Sequence, residues 1–212
     1  MLLLLILLII LLFPKEIKQS FPRPMRFNNK QYEFFYIIRS GIYYERLERI
    51  KKILYKNLNK VLIDNHIQIK LIDNLDVNSL VEYFKYKDFT IFVYVGLLVY
   101  IHDDNIAIAL ICHEISHVLN KDYEKISNVL KGKYNLDNKE CRINLEHYAD
   151  MKALELLKEL NISPYCLIRF FEEVDKLDDS NPYQYIPIEY ETNTHYSLYR
   201  RIQNVLTFLG DY

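Results

Sequence analysis

Two histidines and a glutamate stand at a spacing that suits zinc chemistry. Residues 113–117 read His-Glu-Ile-Ser-His, near the end of an apolar run with helical periodicity. Positions i and i+4 of a helix lie on one face, so His113 and His117 could bind one zinc ion together. Glu114 could then act as the general base toward a water molecule that the metal activates. The pentapeptide therefore predicts a hydrolytic zinc site.

A catalytic zinc site needs a third protein ligand, and a later helix offers one. The pattern predicts a helix at about 139–160, in which two carboxylates interrupt one apolar stripe formed by Ile143, Glu146, Asp150, Ala153 and Leu157. A buried carboxylate is unfavourable unless a metal ion or a hydrogen-bond donor binds it. We therefore expect Glu146 to bind the metal and Asp150 to orient a ligand histidine.

Three alternatives compete with this ligand set. The carboxylate stripe could face solvent instead of the motif helix. Glu140 and His147 are rival third ligands, although His147 points about 100° away from the stripe. The pentapeptide could also occur by chance in a helical protein that binds no metal.

The elements that must position these side chains are mainly helices. The motif helix is predicted to begin with Asp103 or Asp104 as its N-cap and to end near Asn120. Two extended runs, 67–73 and 89–95, predict strands before it, and the edge of the second could pair with an extended substrate. Further helices are predicted from about residue 31 onward, at 139–160, at 166–177 and at 197–209, and residues 121–137 are predicted to form a charged surface excursion.

Size and composition limit the classes of protein to which the chain can belong. The 212 residues, half of them hydrophobic, are enough for one domain with its own core. The 27 basic and 28 acidic residues nearly balance, which argues against a nucleic-acid partner, and none of the four glycines lies in a nucleotide-binding loop. Three widely spaced cysteines predict no disulfide framework, and Cys112 is expected to be a small buried side chain.

The amino terminus carries a second strong signal. Residues 1–13 form an unbroken apolar run that is followed by Pro14 and several basic residues. As a helix they would span about 20 Å, less than the bilayer core of about 30 Å. We expect a targeting or membrane-anchor segment, with a core helix as the alternative, so the protein is expected to be membrane-associated or exported. Residues 14–30, which contain three prolines, are predicted to link this segment to a domain at 31–212.

The chain resembles the M48 family of metallopeptidases in several motifs. The motif helix and the later carboxylates match the family signature HExxH…ExxAD, the second part being Glu146-His147-Tyr148-Ala149-Asp150. The segment 95–98 resembles the family's strand that ends in a Gly-Leu-Leu turn, and 161–164 resembles its Gly-Tyr-Asp-Pro turn. Thr194-His195 with Arg201-Ile202 resembles its Thr-His-Pro…Arg-Ile element, although Tyr196 replaces the proline. The resemblance covers about residues 40–205.

This resemblance implies a fold and a set of roles. The fold would be a mainly helical α+β, gluzincin-like zincin domain with a small sheet beside the motif helix. His113, His117 and Glu146 would bind one zinc ion per chain, and Glu114 would activate the water. His195 would lie near the cleft as a catalytic residue that stabilises an oxyanion. Arg201 would pair with an acidic group such as Asp150.

The implied function is that of a zinc-dependent metalloendopeptidase that hydrolyses protein or peptide substrates in membrane-associated protein quality control. The family includes prenyl proteases of the Ste24 type, the heat-shock protein HtpX and the Oma1 and BepA-like proteases. The single short amino-terminal segment favours the Oma1 and BepA-like branch, because the first two branches have several transmembrane helices. A catalytically silent zinc-binding chaperone or interaction protein is the alternative.

Overall fold

The computed structural model describes residues 23–27, 31–84, 88–125, 138–178 and 197–210. The predicted anchor segment at 1–13 and most of the predicted linker at 14–30 lie outside these residues. Within the described ranges, no helix has both the length and the apolar character to cross a bilayer. The described residues form a mainly helical α+β structure with one four-stranded sheet.

An antiparallel hairpin precedes the rest of the structure and corrects two predictions. Strands β1 (Arg23–Phe27) and β2 (Gln31–Phe35) pair with each other. The first falls inside the stretch predicted as a linker, and the second falls where a helix was predicted to begin. Pro24 is compatible with β1 because both strands of a two-stranded ribbon are edges, where proline need not donate to a neighbour.

The first long helix, α1 (Ile42–Asp64), lays an apolar stripe on the sheet. It begins only at residue 42, after the short strand β3 (Ile37–Ile38), which pairs with residues 71 and 72. Its fully buried residues recur every three or four positions, as a helix packed on one face requires; they are Leu47, Ile50, Leu54, Leu58 and Leu62. The predicted helix is therefore present, but it begins at residue 42 and not at about residue 31.

The four-stranded sheet has the order β3-β4-β6-β5, so β6 is an interior strand. Strand β4 (Ile67–Ile72) runs parallel to β6 (Asp88–Tyr94), and β5 (Ser79–Phe84) runs antiparallel on the other side of β6. The prediction that 89–95 offers a free edge to substrate is therefore wrong. The five consecutive buried residues that end β6 reflect a strand covered on both faces and paired along both edges. Among the described strands β5 is the edge strand beside the motif helix, and it was not predicted.

The motif helix lies at the centre of the helical layer. After the short helix α2 (Val95–Tyr100), helix α3 (Asp104–Leu119) begins where the Asp103 carboxylate accepts a hydrogen bond of 2.8 Å from Asn105 N. Helices α4 (Asn138–Glu159) and α5 (Tyr165–Asp178) pack on α3, and α6 (Leu198–Leu209) packs on α4 and α5. Every residue of α3 from Ile106 to Ser116 is buried, because helices and β5 surround it.

Gly96 fixes the loop that leads into the edge strand. Its N–H donates a 2.8 Å hydrogen bond to Asn74 O. A Cβ at this position would lie 2.0 Å from the Leu75 carbonyl oxygen and 2.3 Å from that of Asp76. Only glycine allows this contact between α2 and the β4–β5 loop, which explains the glycine of the 95–98 motif.

Candidate metal centre

Helix α3 brings the two motif histidines together on one face. Their Nε2 atoms are 3.1 Å apart, and their rings meet edge to face with centroids 4.6 Å apart. The side chain of His113 is 5% exposed and that of His117 is 15% exposed. Two imidazole nitrogens so close together in a buried place need a shared proton or a shared cation between them.

Helix α4 adds the carboxylate of Glu146 to the histidine pair. Its Oε2 lies 3.2 Å from His113 Nε2, and its Oε1 lies 3.6 Å from His117 Nε2. Zinc–ligand bonds of about 2.0–2.1 Å in a tetrahedron would separate neighbouring ligand atoms by about 3.3 Å. The two Nε2 atoms are thus about one ligand–ligand spacing apart, and each has one oxygen of the Glu146 carboxylate at a similar distance. One ligand atom from each of the three residues lies within 4.8 Å of the others, so the three side chains could share one zinc ion. The alternative in which the carboxylate stripe faces solvent is excluded, because Asp150, Ala153 and Leu157 are at most 1% exposed.

A buried ion pair stands behind His113. Nδ1 of His113 lies 2.9 Å from Oδ1 of Asp150, in a contact that is bent away from a straight hydrogen bond. Arg201 of α6 donates to both oxygens of Asp150, at 2.8 and 2.6 Å, and its guanidinium lies 4.4 Å from the ring centroid of Phe171. Burial alone would raise the pKa of Asp150, but the charge of Arg201 and the contact with His113 lower it to about 2. Asp150 is therefore a carboxylate at neutral pH.

A second carboxylate, Asp122, stands behind His117 and was not predicted. Its Oδ2 lies 2.9 Å from His117 Nδ1, and its Oδ1 accepts a 3.1 Å hydrogen bond from Lys125 Nζ. Asp122 lies in a short helical turn at 122–125, within the stretch predicted as a surface excursion; residues 126–137 lie outside the described part of the chain. The sequence signal that could have identified this contact is an acidic residue just beyond the end of α3.

Glu114, the predicted base, is buried between the motif helix and the edge strand. It is 7% exposed, and the Ser79 hydroxyl at the start of β5 donates to its Oε1 over 3.4 Å. Burial raises the pKa of Glu114, and the neighbouring histidines and Ser79 oppose that rise. Ser79 was not predicted as a contact because β5 itself was not predicted.

The carboxylates around the two histidines favour their protonated forms in the metal-free protein. Burial by itself lowers the pKa of His113, but the contacts with Asp150 and Glu146 raise it above its ordinary value. Burial likewise opposes the rise at His117, where Asp122 and Glu146 raise the pKa to about 10. A metal cation bound by the nitrogen and oxygen atoms of this cluster would displace these protons, and its positive charge would balance the same carboxylates.

The structure separates one rival ligand from this cluster and leaves two other predicted site residues untested. His147 lies on another face of α4, where its Nδ1 is 3.4 Å from Asn204 Nδ2, so it is not the third ligand. The side chain of Glu140 and all of His195 lie outside the described residues, so the catalytic role of His195 stays a prediction. Cys112 is fully buried, as expected of a small core side chain.

Comparison with known proteins bears on the fold. No family model and no curated protein matches the chain. Among solved structures it is similar to Ste24p of S. mikatae, with a TM-score of 0.52 and 14% sequence identity. The match covers 96% of this chain and 55% of Ste24p, so the chain spans about half the length of that protein. The similarity is one of fold. The name Ste24p is also that of one branch of the family that the sequence motifs resemble.

Proposed function

We propose that this chain is a zinc-dependent metalloendopeptidase. The observation that carries the proposal is that His113 Nε2 and His117 Nε2 lie 3.1 Å apart, with Glu146 Oε2 3.2 Å from the first and Glu146 Oε1 3.6 Å from the second, an arrangement that suits one zinc ion. The buried carboxylate of Glu114 beside them supplies a base, which a purely structural zinc site does not need. The similarity of fold to Ste24p supports the same conclusion.

The roles of the side chains follow from their positions. His113, His117 and Glu146 would hold zinc, which when bound polarises a carbonyl group and lowers the pKa of water. Glu114 accepts the proton of the attacking water and returns it to the leaving amine. Burial, which raises the pKa of Glu114 in the metal-free protein, favours retention of a proton between these two steps. His195 is proposed to donate a hydrogen bond to the oxyanion.

The substrate is proposed to be an extended protein segment that pairs with β5. This strand is one of the two edges of the described four-stranded sheet, and it packs against α3. Ser79, its first residue, contacts Glu114, so a peptide beside β5 would run past the proposed base. Backbone pairing of this kind requires an unstructured segment, which is the state of damaged or misfolded substrates. We also propose a role in membrane-associated protein quality control, because residues 1–13 are apolar and could anchor or target the protein to a membrane.

The first experiment measures zinc and proteolysis on the same preparations. We expect one zinc ion per chain and cleavage of an unfolded protein such as reduced, alkylated casein. Glu114→Gln should retain zinc and lower kcat by a factor of at least about 100, since general base catalysis contributes that much. The matched control is His147→Gln, on α4 but outside the cluster, which should retain both zinc and activity.

Two outcomes would overturn parts of this proposal. Full cleavage by Glu114→Gln would exclude the assigned base. Stoichiometric zinc in the wild type without cleavage of any unfolded substrate would favour the silent zinc-binding chaperone instead.

A further inference from the structure

The contact between Asp122 and His117 requires a break in the helix. In a continuous helix a residue five positions after His117 would point about 140° away from it. Instead α3 ends at Leu119, and Lys121 takes the left-handed conformation with a φ of 57°. The Lys121 N–H still bonds to Val118 O at 3.0 Å, and Lys121 O accepts the Glu124 N–H at 3.0 Å. The chain thus turns once at Lys121 and carries Asp122 back under the histidine.

We propose that the left-handed turn at Lys121 and the carboxylate of Asp122 form a positioning device for His117. The proposal rests on the zinc site proposed above. The device holds the imidazole with Nδ1 toward Asp122 and Nε2 toward the cation. Asp122 and Lys121 are positioning residues, because neither belongs to the three residues whose atoms would bind the metal.

The chemistry of the imidazole explains why such a device matters. A neutral histidine carries its proton on one nitrogen, and only the other nitrogen can bind a metal. A carboxylate 2.9 Å from Nδ1 keeps the proton there and leaves the lone pair of Nε2 for the cation. The side chain of Asp122 is 4% exposed, so water does not replace this contact, and Lys125 balances its charge from the outer side.

The device is local, whereas the support behind His113 is not. Asp150 comes from α4 and depends on Arg201 of α6, so its loss would disturb the packing of three helices. Asp122 contacts His117 across five residues and Lys125 across three. A change at the turn should therefore lower zinc affinity while the fold stays intact.

The first test compares Asp122→Ala with Asp122→Asn in the full chain. The zinc dissociation constant is measured by competition with a chromophoric chelator, and the visible spectrum of bound Co²⁺ reports the ligand geometry. Asp122→Ala should weaken zinc binding about 10- to 100-fold, the usual loss when the partner of a ligand histidine is removed. Asp122→Asn keeps an acceptor oxygen and should recover part of that loss. Because Asp122 also pairs with His117 in the metal-free protein, the thermal midpoint of that form should fall in Asp122→Ala and fall less in Asp122→Asn, so circular dichroism is used to verify that each variant is folded at the temperature of the zinc titration.

The second test changes the turn without touching the site. Lys121 is exposed, so its side chain can be replaced without loss of buried contacts. Valine resists the left-handed conformation, whereas glycine adopts it freely. Lys121→Val should weaken zinc binding about as much as Asp122→Ala, because both remove the same contact, and Lys121→Gly should bind zinc as the wild type does. The double variant Lys121→Val/Asp122→Ala should be no weaker than either single variant.

The outcomes separate this proposal from the proposed function. If the wild type binds no zinc, the metal site itself is wrong. If the wild type binds zinc and both Asp122 variants bind it equally well, the positioning device is wrong and the metalloendopeptidase proposal stands. Equal affinity of Lys121→Val and Lys121→Gly would also overturn the device, because the turn would then have no effect.

Discussion

The two sides of the candidate site are built differently. On the helical side, buried charged side chains form an ion pair, whereas on the sheet side backbone atoms pack against one another. Asp150 and Arg201 form a buried ion pair behind His113. Across the site, Gly96 packs directly against the carbonyl groups of the loop that leads to Ser79. The charged side should therefore respond to pH and to the loss of single charges. The stability of the sheet side should instead respond to added volume.

The largest effect is expected from Arg201→Met, which breaks the charged side. Methionine keeps an apolar contact with Phe171 but leaves the Asp150 carboxylate buried without its counter-ion. Removal of one partner of a buried ion pair lowers the free energy of unfolding by about 3–5 kcal/mol. Denaturant titration of the variant and the wild type measures this loss. The control is Arg169→Met, whose ion pair with Asp103 spans 3.4 Å at the surface and should contribute less than about 1 kcal/mol. Equal losses in the two variants would mean that the buried pair does not hold α4 and α6 together.

Gly96→Ala is the corresponding change on the sheet side. The added methyl group would overlap the backbone of Leu75 and Asp76, which cannot rotate away as a side chain could. Overpacking of this kind costs about 1–3 kcal/mol, and we expect the upper end of that range. Because no charge is involved, the loss should be the same at pH 5 and pH 8. A loss below about 0.5 kcal/mol would show that the loop shifts freely and does not position β5.

Acid should distinguish the two sides directly. The folded-state pKa of Asp150 is about 2, against an ordinary value of 3.8. A lowered pKa stabilises the fold above the unfolded-state pKa, so this contribution is present above about pH 4 and is lost as the pH falls toward 2. Its size is about 2 kcal/mol.

The measurement is the free energy of unfolding of the metal-free protein between pH 5 and pH 2. Arg201→Met should lose less stability over this interval than the wild type, because the charge that lowers the pKa is gone. Gly96→Ala should follow the wild type at a constant offset. A parallel acid dependence of Arg201→Met and the wild type would contradict the assignment of the shift to Arg201.

The helical side was largely predictable from the sequence, because its signals are local. The cap at Asp103, the one-turn spacing of the motif histidines and the carboxylate stripe on α4 each depend on a helical period. The observed α4 bounds, Asn138–Glu159, differ by one residue at each end from the predicted 139–160. The contact of Arg201 with Asp150 followed from the family resemblance and not from any local pattern.

The sheet side was poorly predictable because its signals are not local. The mixed polar and apolar composition of β5 does not distinguish a strand from a loop, and its place at the edge depends on pairing with β6. The continuous apolar run of β6 was read as a strand, but its position inside the sheet depends on partners far along the chain. Asp122 was missed for a related reason, since no glycine marks the left-handed turn at Lys121.

The smallest effect is expected from Ser79→Ala, which removes the hydrogen bond between the Ser79 side chain of β5 and the proposed base. A 3.4 Å hydrogen bond contributes less than about 1 kcal/mol to stability. Burial raises the pKa of Glu114 and the Ser79 hydroxyl lowers it, so the variant should have a higher Glu114 pKa. Because the base acts as a carboxylate, the acidic limb of the pH profile of kcat/KM should move to higher pH.

Ser79→Thr keeps the hydroxyl and should keep the wild-type profile. If Ser79→Ala instead raised only KM and left the limb in place, Ser79 would serve the substrate strand rather than the base, and the sheet side would act through backbone pairing alone.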